Sequence, residues 1–329
     1  MLEQLLDHFP LRLTLVSPIA PSLWPPQLQS QTTWIDAATD AGIVQTDDVT
    51  VDANATAACL REWATQHEAV LARETERLRA GVDLVLGDVP PLAFRASAHA
   101  GVPSVALANF TWDWIYDRLG HRQAAAAAAA GYARADLLLE ATPSAPMPAF
   151  AARQCVGMIA RASSLPRQQC RSRLGASNGE RLVLLALRAS SSSLVTLPPP
   201  RRDVRYILER SWPLRDPRSD VVRIPDDMPY VDAVAASDIV VGKPGYGLIG
   251  DVTAARARFL YIARPGFPEN EVLEQWLSGR SGTARIDRDS LAAGEWARAL
   301  DALSQSPPPP ATPVDGARAA AARIAAMLP

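Results

Sequence analysis

Short apolar runs alternate with helical stretches along almost the whole chain, and this alternation constrains the fold more than any other feature of the sequence. The run at 181–187, Arg-Leu-Val-Leu-Leu-Ala-Leu, is typical of a strand that is buried on both faces. Strands that alternate with helices indicate parallel βαβ units joined by right-handed crossovers. At 329 residues the chain is long enough for two such domains, each with its own core.

Both halves of the chain show this pattern. Strands are predicted at 11–17, 42–45, 83–88, 103–108, 136–140, 181–187, 204–208, 221–224, 237–241 and 258–262. Helices are predicted at 2–9, 53–80, a short segment ending at 100, 109–130, 230–237, 248–255, 269–277, 290–304 and 315–328. Between 142 and 167 polar pieces with Pro and Met replace the periodic pattern. We therefore predict α/β domains at 1–160 and 161–311, and a helix at 312–329 that packs back on the first domain.

A glycine-rich turn at 242–247, Gly-Lys-Pro-Gly-Tyr-Gly, contains Lys243, the only lysine among 33 Lys and Arg residues. The turn separates a predicted strand from a predicted helix, where α/β proteins present backbone N–H groups and a positive helix end to phosphate. A compact ammonium at this place indicates an anion site, and a tight turn with a solvent-exposed lysine is the structural alternative. The spacing fits neither a P-loop nor the dinucleotide fingerprint.

Charge and composition exclude several classes of function. A net charge of −2 argues against nucleic-acid binding. No apolar stretch approaches 18 residues, which argues against a membrane span. The first residues lack a basic region and do not resemble a signal peptide. The three cysteines show no CxxC pair and the four histidines are scattered, so we expect no zinc site and a cytoplasmic protein.

With these residues in view, the chain resembles glycosyltransferases of the GT-B fold, among them bacterial glycosyltransferase-like proteins and the N-terminal glycosyltransferase-like domain of plant L-arabinokinases. The resemblance extends from about residue 83 to the last helix. Its motifs are Asp-Val-Pro-Pro at 88–91, Asn-Phe-Thr-Trp-Asp-Trp-Ile-Tyr at 109–116, the segment 242–251, and Arg-Pro-Gly-Phe-Pro-Glu at 264–269. It implies two Rossmann-like domains with parallel sheets that face across a cleft.

The resemblance also implies that a nucleotide-diphosphate sugar, most commonly a uridine one, binds to the second domain as a substrate. The implied donor-binding residues are Lys243, Gly245, Tyr246, Gly247, Asp251, Arg264, Glu269 and Arg188. Asp251 stands where the family usually has Glu, at a position implied to bind ribose hydroxyls. Enzymes of this fold generally stabilise the departing diphosphate with helix N-termini and cations, so no metal or other cofactor is expected.

The first domain is implied to bind the acceptor, a small molecule or a glycan, and to supply a general base. Asp88 and Asp113 follow strands, at the edge where open α/β sheets place their sites, and are the catalytic candidates. A helix cap is the structural alternative for Asp88. Asn109, Trp112 and Tyr116 are the candidate acceptor residues, although Trp112 and Tyr116, four residues apart, also fit core packing.

Two departures from the family pattern leave the activity open. Relatives begin with a strand and a Gly/His-rich loop, whereas this chain starts at the following helix. Loss of a central strand is expected to expose apolar sheet edges. After 181–187, relatives have a Gly-Gly loop that contacts the donor phosphates, and this chain instead continues with Arg188, Ala189 and four serines.

The sequence therefore supports two functions, a metal-independent nucleotide-sugar transferase or a degenerate GT-B fold kept as a binding or partner module. A sugar-kinase fragment is disfavoured because no kinase phosphate loop follows. An oligomer and peripheral contact with a membrane are left open.

Overall fold

The chain divides into two compact units in the computed structural model, which describes residues 2–6, 9–177, 179–214 and 217–328. The first unit contains Met1–Val44, Asp52–Met158 and Asp315–Pro329. The second contains Gln45–Val51 and Ile159–Val314. A segment of seven residues, 45–51, is thus part of the second unit although the chain on both sides of it belongs to the first.

The secondary structure is an alternation of strands and helices in both units. The strands are β1 (Leu13–Val16), β2 (Thr32–Ile35), β3 (Val85–Gly87), β4 (Ser104–Ala108), β5 (Leu137–Ala141), β6 (Arg153–Gly157), β7 (Arg181–Ala186), β8 (Val204–Leu208), β9 (Val221–Arg223), β10 (Ile239–Gly242), β11 (Arg258–Ile262) and β12 (Thr283–Ile286). The helices are α1 (Leu2–Leu6), α2 (Pro26–Gln29), α3 (Ala53–Arg79), α4 (Pro91–Ala100), α5 (Trp112–Arg118), α6 (Arg122–Tyr132), α7 (Arg167–Arg173), α8 (Tyr230–Ala236), α9 (Tyr246–Ala255), α10 (Pro268–Leu277), α11 (Arg288–Ala293), α12 (Ala297–Gln305) and α13 (Gly316–Ala325).

Two parallel sheets form the first unit, the pair β1-β2 and the four-stranded sheet β3-β4-β5-β6. The inner strands β4 and β5 are the most apolar and are almost fully buried. Among the described residues, β1 and β3 each pair with one strand only, so the strands of this unit form two separate sheets. Helix α13 packs against α1 and β6 of the same unit.

A single parallel sheet of order β12-β11-β10-β7-β8-β9 forms the core of the second unit. Its central strands carry continuous Val, Leu and Ile runs with side chains at 0–2% exposure, as expected for strands covered by helices on both faces. Tyr206 and Trp296 pack edge to face in this core, with ring centroids 5.6 Å apart. Each unit therefore has the parallel α/β architecture that the sequence predicts.

Several predicted elements are wrong in detail. There is no strand at 42–45, where Gln45 forms only an isolated bridge with Val51. The predicted helices at 109–130 and 290–304 are each two helices, interrupted at Gly120 and Gly294, which both have positive φ angles. The sequence pattern does not reveal β2, β6, β12, α2 or α7. The helix predicted at 2–9 is α1, and residues 7 and 8 lie outside the described part of the chain.

No helix in the described ranges combines the length and the apolar character that a membrane span requires.

Close packing of α9 against the segment after Ile159 yields a test of the second unit. A Cβ atom on Gly250 would lie 2.5 Å from the Ile159 carbonyl oxygen. Gly250→Ala is expected to destabilise the protein by about 1–3 kcal/mol because backbone must move, even though alanine favours a helix. Gly247→Ala is the matched control in the same helix, since its Cβ would meet no atom within 4 Å. Urea unfolding measures both, and equal unfolding free energies would contradict this packing.

Candidate functional site

The order of strands in the second unit reverses between β7 and β10. β7 is the first strand of this sheet, and it lies between β10 and β8. Open α/β sheets bind ligands outside the carboxyl ends of their strands at such a reversal. Arg188 follows β7 and Lys243 follows β10, so the fold brings two cations predicted from the sequence to this point.

Gly242 allows the ends of β7 and β10 to approach each other closely. It is the register partner of Ala186 in the parallel pair. A Cβ atom on Gly242 would lie 2.8 Å from the Ala186 carbonyl oxygen and 3.2 Å from a methyl carbon of Leu248 in α9. Packing therefore requires glycine at position 242. The turn that follows β10 starts next to the chain that leaves β7.

A buried carboxylate, Asp48, binds both cations. Its side chain is 1% exposed, and it belongs to the segment 45–51 of the second unit. Its Oδ1 atom lies 2.8 Å from Arg188 Nε and 3.0 Å from Lys243 Nζ. Its Oδ2 atom accepts from the Arg188 backbone N–H and from the Ser191 hydroxyl, both at 2.8 Å. Side chains from two strand ends thus converge on one anionic group.

The pKa of Asp48 shows that these donors dominate its environment. Burial raises the pKa, but the hydrogen bonds from Arg188, Ser191 and Lys243 outweigh burial and lower the pKa from 3.8 to about 2. The stabilisation from these bonds is present above pH 4 and is lost as the pH falls through about 2. Asp48 is therefore a charged carboxylate at neutral pH.

Lys243 is not the solvent-exposed lysine of the structural alternative. Its side chain is 28% exposed and is paired with Asp48. Burial and the nearby positive charge of Arg264 lower the pKa of Lys243, against the opposing effect of Asp48. Gly245, with extended φ, is the N-cap of α9, and space is open beside both Gly245 and Gly247.

Arg264 is a buried cation next to the same turn. It is 5% exposed, and its guanidinium carbon lies 3.2 Å from the ring centroid of Phe267. Its backbone N–H donates to Asn270 Oδ1 at 2.7 Å, and Nη2 lies 3.5 Å from Gln45 Oε1. No described residue is a hydrogen-bond partner of its Nε atom. Burial lowers the pKa of Arg264 to about 10.

Glu269 and Tyr246 complete this group of predicted donor-binding residues. Burial raises the pKa of Glu269, and the positive charges of Arg264 and Lys243 oppose that rise. Burial, with the charge of Glu269, also raises the pKa of the Tyr246 hydroxyl. The structure therefore brings Arg188, Lys243, Arg264, Tyr246 and Glu269 into one electrostatically coupled group.

Asp251 lies outside this group and binds another partner. The carboxylate is 1% exposed in α9 and accepts the Arg161 backbone N–H at 3.0 Å and the Arg161 Nε at 3.1 Å. It therefore anchors the segment that enters the second unit. Its predicted contact with ribose hydroxyls stays a prediction.

In the first unit, Asp88 follows β3 in a strained turn. The next residue, Val89, has φ of 75°, a conformation that is unfavourable for a β-branched side chain. The Val89 carbonyl accepts from the Tyr132 hydroxyl, which helps to hold the turn. Local desolvation, followed by the charge of Asp40, raises the pKa of Asp88. Perturbed acids and strained backbone cluster at functional sites; here the raised pKa belongs to Asp88, an exposed residue, and the strained φ to its neighbour Val89.

Two of the three residues predicted to bind an acceptor, Trp112 and Tyr116, lie close to Asp40. Trp112 and Tyr116 stack with centroids 5.5 Å apart, and Trp112 Nε1 donates to Asp40 Oδ2 at 2.9 Å. Tyr116 is 4% exposed, and its hydroxyl donates to the Gly42 carbonyl. The Asn109 amide donates to the carbonyls of Ala141 and Pro143. These contacts occupy the polar atoms with structural bonds, and the acceptor roles stay predictions.

Asp113, the second catalytic candidate, lies in the first turn of α5. It is 9% exposed, and no described residue is a hydrogen-bond partner of its Oδ1 atom. A buried carboxylate oxygen without a partner is costly, so Asp113 keeps its place among the candidates.

The sequence pattern does not reveal the loop residues that bind the predicted site residues in each unit. Asp48 and Asp40 lie in segments without helical or strand periodicity, and Arg161 lies in the predicted boundary. Ser191 is within the serine run that stands in place of the family's Gly-Gly loop. An acidic pair at 47–48, followed by Val-Thr-Val at 49–51, is the one local signal for Asp48.

Comparison with known proteins defines the fold. No family model matches the chain. The L-arabinokinase of Arabidopsis thaliana is 30% identical over 279 residues, which are 82% of this chain and 27% of that protein. This chain thus spans little more than a quarter of the relative that it matches.

Solved structures resemble almost the whole chain. The glycotransferase of kitacinnamycin has a TM-score of 0.61 at 13% identity, covering 99% of this chain and 94% of its own. Arabidopsis thaliana UGT89C1 complexed with UDP has a TM-score of 0.53 at 11% identity, covering 92% and 86%. The same protein has also been solved with quercetin. The chain has the GT-B fold of these glycosyltransferases, as the resemblance predicts.

The contacts of Asp251 predict a structural role that can be measured without a ligand. Asp251→Ala leaves a backbone N–H and a guanidinium without their acceptor, and we expect a loss of about 1–3 kcal/mol in stability. Asp315→Ala removes an exposed carboxylate that pairs with Arg318 and is expected to change little. Thermal and urea unfolding compare the two variants. An Asp251→Ala protein as stable as the wild type would contradict the anchoring role.

Proposed function

We propose that the chain is a glycosyltransferase that uses a nucleotide-diphosphate sugar, with the diphosphate held by the second unit. The convergence of Lys243 and Arg188 on one anionic group, at the reversal of strand order, carries this proposal. Cations and backbone N–H groups that already surround an oxyanion are suited to a phosphoryl group. That UGT89C1, of the same fold, is complexed with UDP supports uridine as the base.

The chemistry follows from the groups in each unit. The acceptor oxygen forms a bond to the anomeric carbon of the sugar, and the bond from that carbon to the diphosphate breaks. Lys243, Arg188 and Arg264 stabilise the negative charge that develops on the leaving diphosphate, without a metal. The acceptor proton passes to a carboxylate of the first unit, and Asp88 is suited because local desolvation raises its pKa.

A binding or partner module without catalysis is the second candidate. It is favoured by Asp48, which already occupies the cations of the second unit, and by the structural bonds of Asn109. Binding of a diphosphate without turnover of any nucleotide sugar would support this function.

Lys243 yields a direct test of donor binding. Lys243→Ala is expected to weaken UDP binding by about 1–3 kcal/mol, the range for a charge-assisted contact. Arg285→Ala, which removes a cation of the same unit that is 62% exposed and paired with Glu274, is the control and is expected to leave binding unchanged. Isothermal titration calorimetry measures all three proteins. A Lys243→Ala protein that binds UDP as tightly as wild type would exclude Lys243 from the site.

The acid pair of the first unit predicts a pH dependence. A general base works only when deprotonated, so the transfer rate should fall as the pH drops through the raised pKa of Asp88. Asp40→Asn removes the negative charge that contributes to this rise and should move the acidic limb to lower pH. Asp88→Asn should reduce the rate by about 10²–10⁴-fold and leave UDP binding intact. Rate–pH profiles of the three proteins measure these effects. An acidic limb at the same pH in Asp40→Asn as in wild type would contradict the role of Asp88 as the general base.

A further inference from the structure

The chain supplies its own anion to the cationic group of the second unit. We propose that the Arg188 backbone N–H, the Ser191 hydroxyl and the Lys243 ammonium form a phosphate-binding pocket, that Asp48 fills it in this structure, and that a diphosphate binds by displacing Asp48. This inference rests on the proposed function, because it assigns the ligand class and the regulation of that same site.

The donors around Asp48 are those that a phosphate requires. Two carboxylate oxygens receive a backbone N–H, a hydroxyl, an ammonium and a guanidinium, all at 2.8–3.0 Å. Oxyanions of phosphates are bound by this combination of rigid main-chain donors and mobile cations. The donors come from both sides of the strand-order reversal, where ligands of open α/β sheets bind.

Access to the pocket is also consistent with an exchange of anions. The side chains of Arg188 and Lys243 are 62% and 28% exposed, whereas that of Asp48 is 1% exposed. The cations can therefore be reached from solvent while the carboxylate lies beneath them. A diphosphate that approached them with Asp48 in place would meet a like charge at contact distance of both cations, which disfavours simultaneous occupancy.

The segment that carries Asp48 is short, and outside the pocket Arg288 contacts its Asp47 and Thr50 at 3.4 and 3.5 Å and Arg264 contacts its Gln45 at 3.5 Å. Its ends form the Gln45–Val51 bridge, and the Thr46 N–H donates to the Thr50 carbonyl at 3.2 Å. Val49 is 4% exposed and packs in the apolar core of the second unit. The Asp48 N–H donates to Ser191 Oγ at 3.0 Å. Displacement therefore breaks the polar cluster around Asp48, withdraws Val49 and disturbs the contacts of Arg288 and Arg264 with the segment. The apparent affinity for a diphosphate is the intrinsic affinity multiplied by the fraction of molecules in which the pocket is free.

The first test is calorimetric titration of the full chain with inorganic pyrophosphate. Asp48→Asn removes the competing charge and is expected to lower the Kd for pyrophosphate by about tenfold or more relative to wild type. Asp47→Asn is the matched control: it makes the same charge change in the same segment, but Asp47 contacts Val49, Thr50 and Arg288 instead of the pocket. It is expected to change the Kd by no more than about threefold, through screened charge alone.

The second test uses the wild-type chain, so it stands even if Asp48→Asn does not fold. Hydrogen exchange of the 46–50 amides should accelerate at saturating pyrophosphate, because the Asp48 N–H loses Ser191. The Arg188 amide should stay protected, because the phosphate replaces Asp48 as its acceptor. Unchanged or slower exchange at 46–50 would overturn displacement and make Asp48 a fixed part of the site. A failure of both wild type and Asp48→Asn to bind pyrophosphate would overturn the pocket itself.

The same proteins separate this inference from the proposed function. If Asp48→Asn binds pyrophosphate more tightly but neither protein binds UDP or turns over a nucleotide sugar, the pocket stands and the transferase proposal fails. If wild type transfers sugar while the 46–50 amides keep their protection, the transferase stands and displacement fails.

Discussion

Parallel pairing of β7 with β10 is the interaction on which the chemistry of the second unit depends. The sheet reverses its order at this pair, so the chain leaves both strands at one edge. Gly242 allows the two strand ends to approach, because a side chain there would meet the Ala186 carbonyl. Arg188 and Lys243, 55 residues apart in sequence (243 − 188), thereby share one carboxylate. The order of the strands, and not a local sequence motif, brings the two cations together.

Strand order also explains which parts of the fold could be predicted. β7, β10 and β11 lie inside the sheet and consist of continuous apolar runs, which the sequence shows directly. β2, β6 and β12 lie at sheet edges and contain Thr, Arg or Gln, so their pattern is too weak to identify them. The apolar residues at 42–45 suggested a strand, but this stretch leads into the 45–51 segment that the second unit holds.

The residues of the candidate site also divide into those at strand ends, which could be predicted, and those in loops, which could not. Lys243, Arg188 and Asp88 could be predicted because each follows a strand, and parallel topology places strand ends together. Asp48 could not, because 140 residues separate it from Arg188 and no local pattern encodes contact over that distance. Arg161, which donates hydrogen bonds to the Asp251 carboxylate, lies in a segment without periodicity, and the sequence assigned it only to the boundary between the two predicted domains. Loops supply the partners that decide whether a predicted cation is free or already bound.

The two units place the carboxylates of Asp48 and Asp88 in opposite electrostatic environments. Asp48 is surrounded by cations and hydrogen-bond donors, which outweigh burial and keep its pKa at about 2. Asp88 is exposed at the surface near a second acid, Asp40, and local desolvation followed by that negative charge raises its pKa. Acids whose environments move their pKa values apart can take different roles, one as a fixed charge and one as a proton carrier. The donor-rich environment stabilises a carboxylate anion and the acidic one favours a protonated carboxyl, so the two acids differ in charge as the pH changes. In the second unit the carboxylate of Asp48 satisfies both cations, and under the proposed displacement it competes with a diphosphate for them.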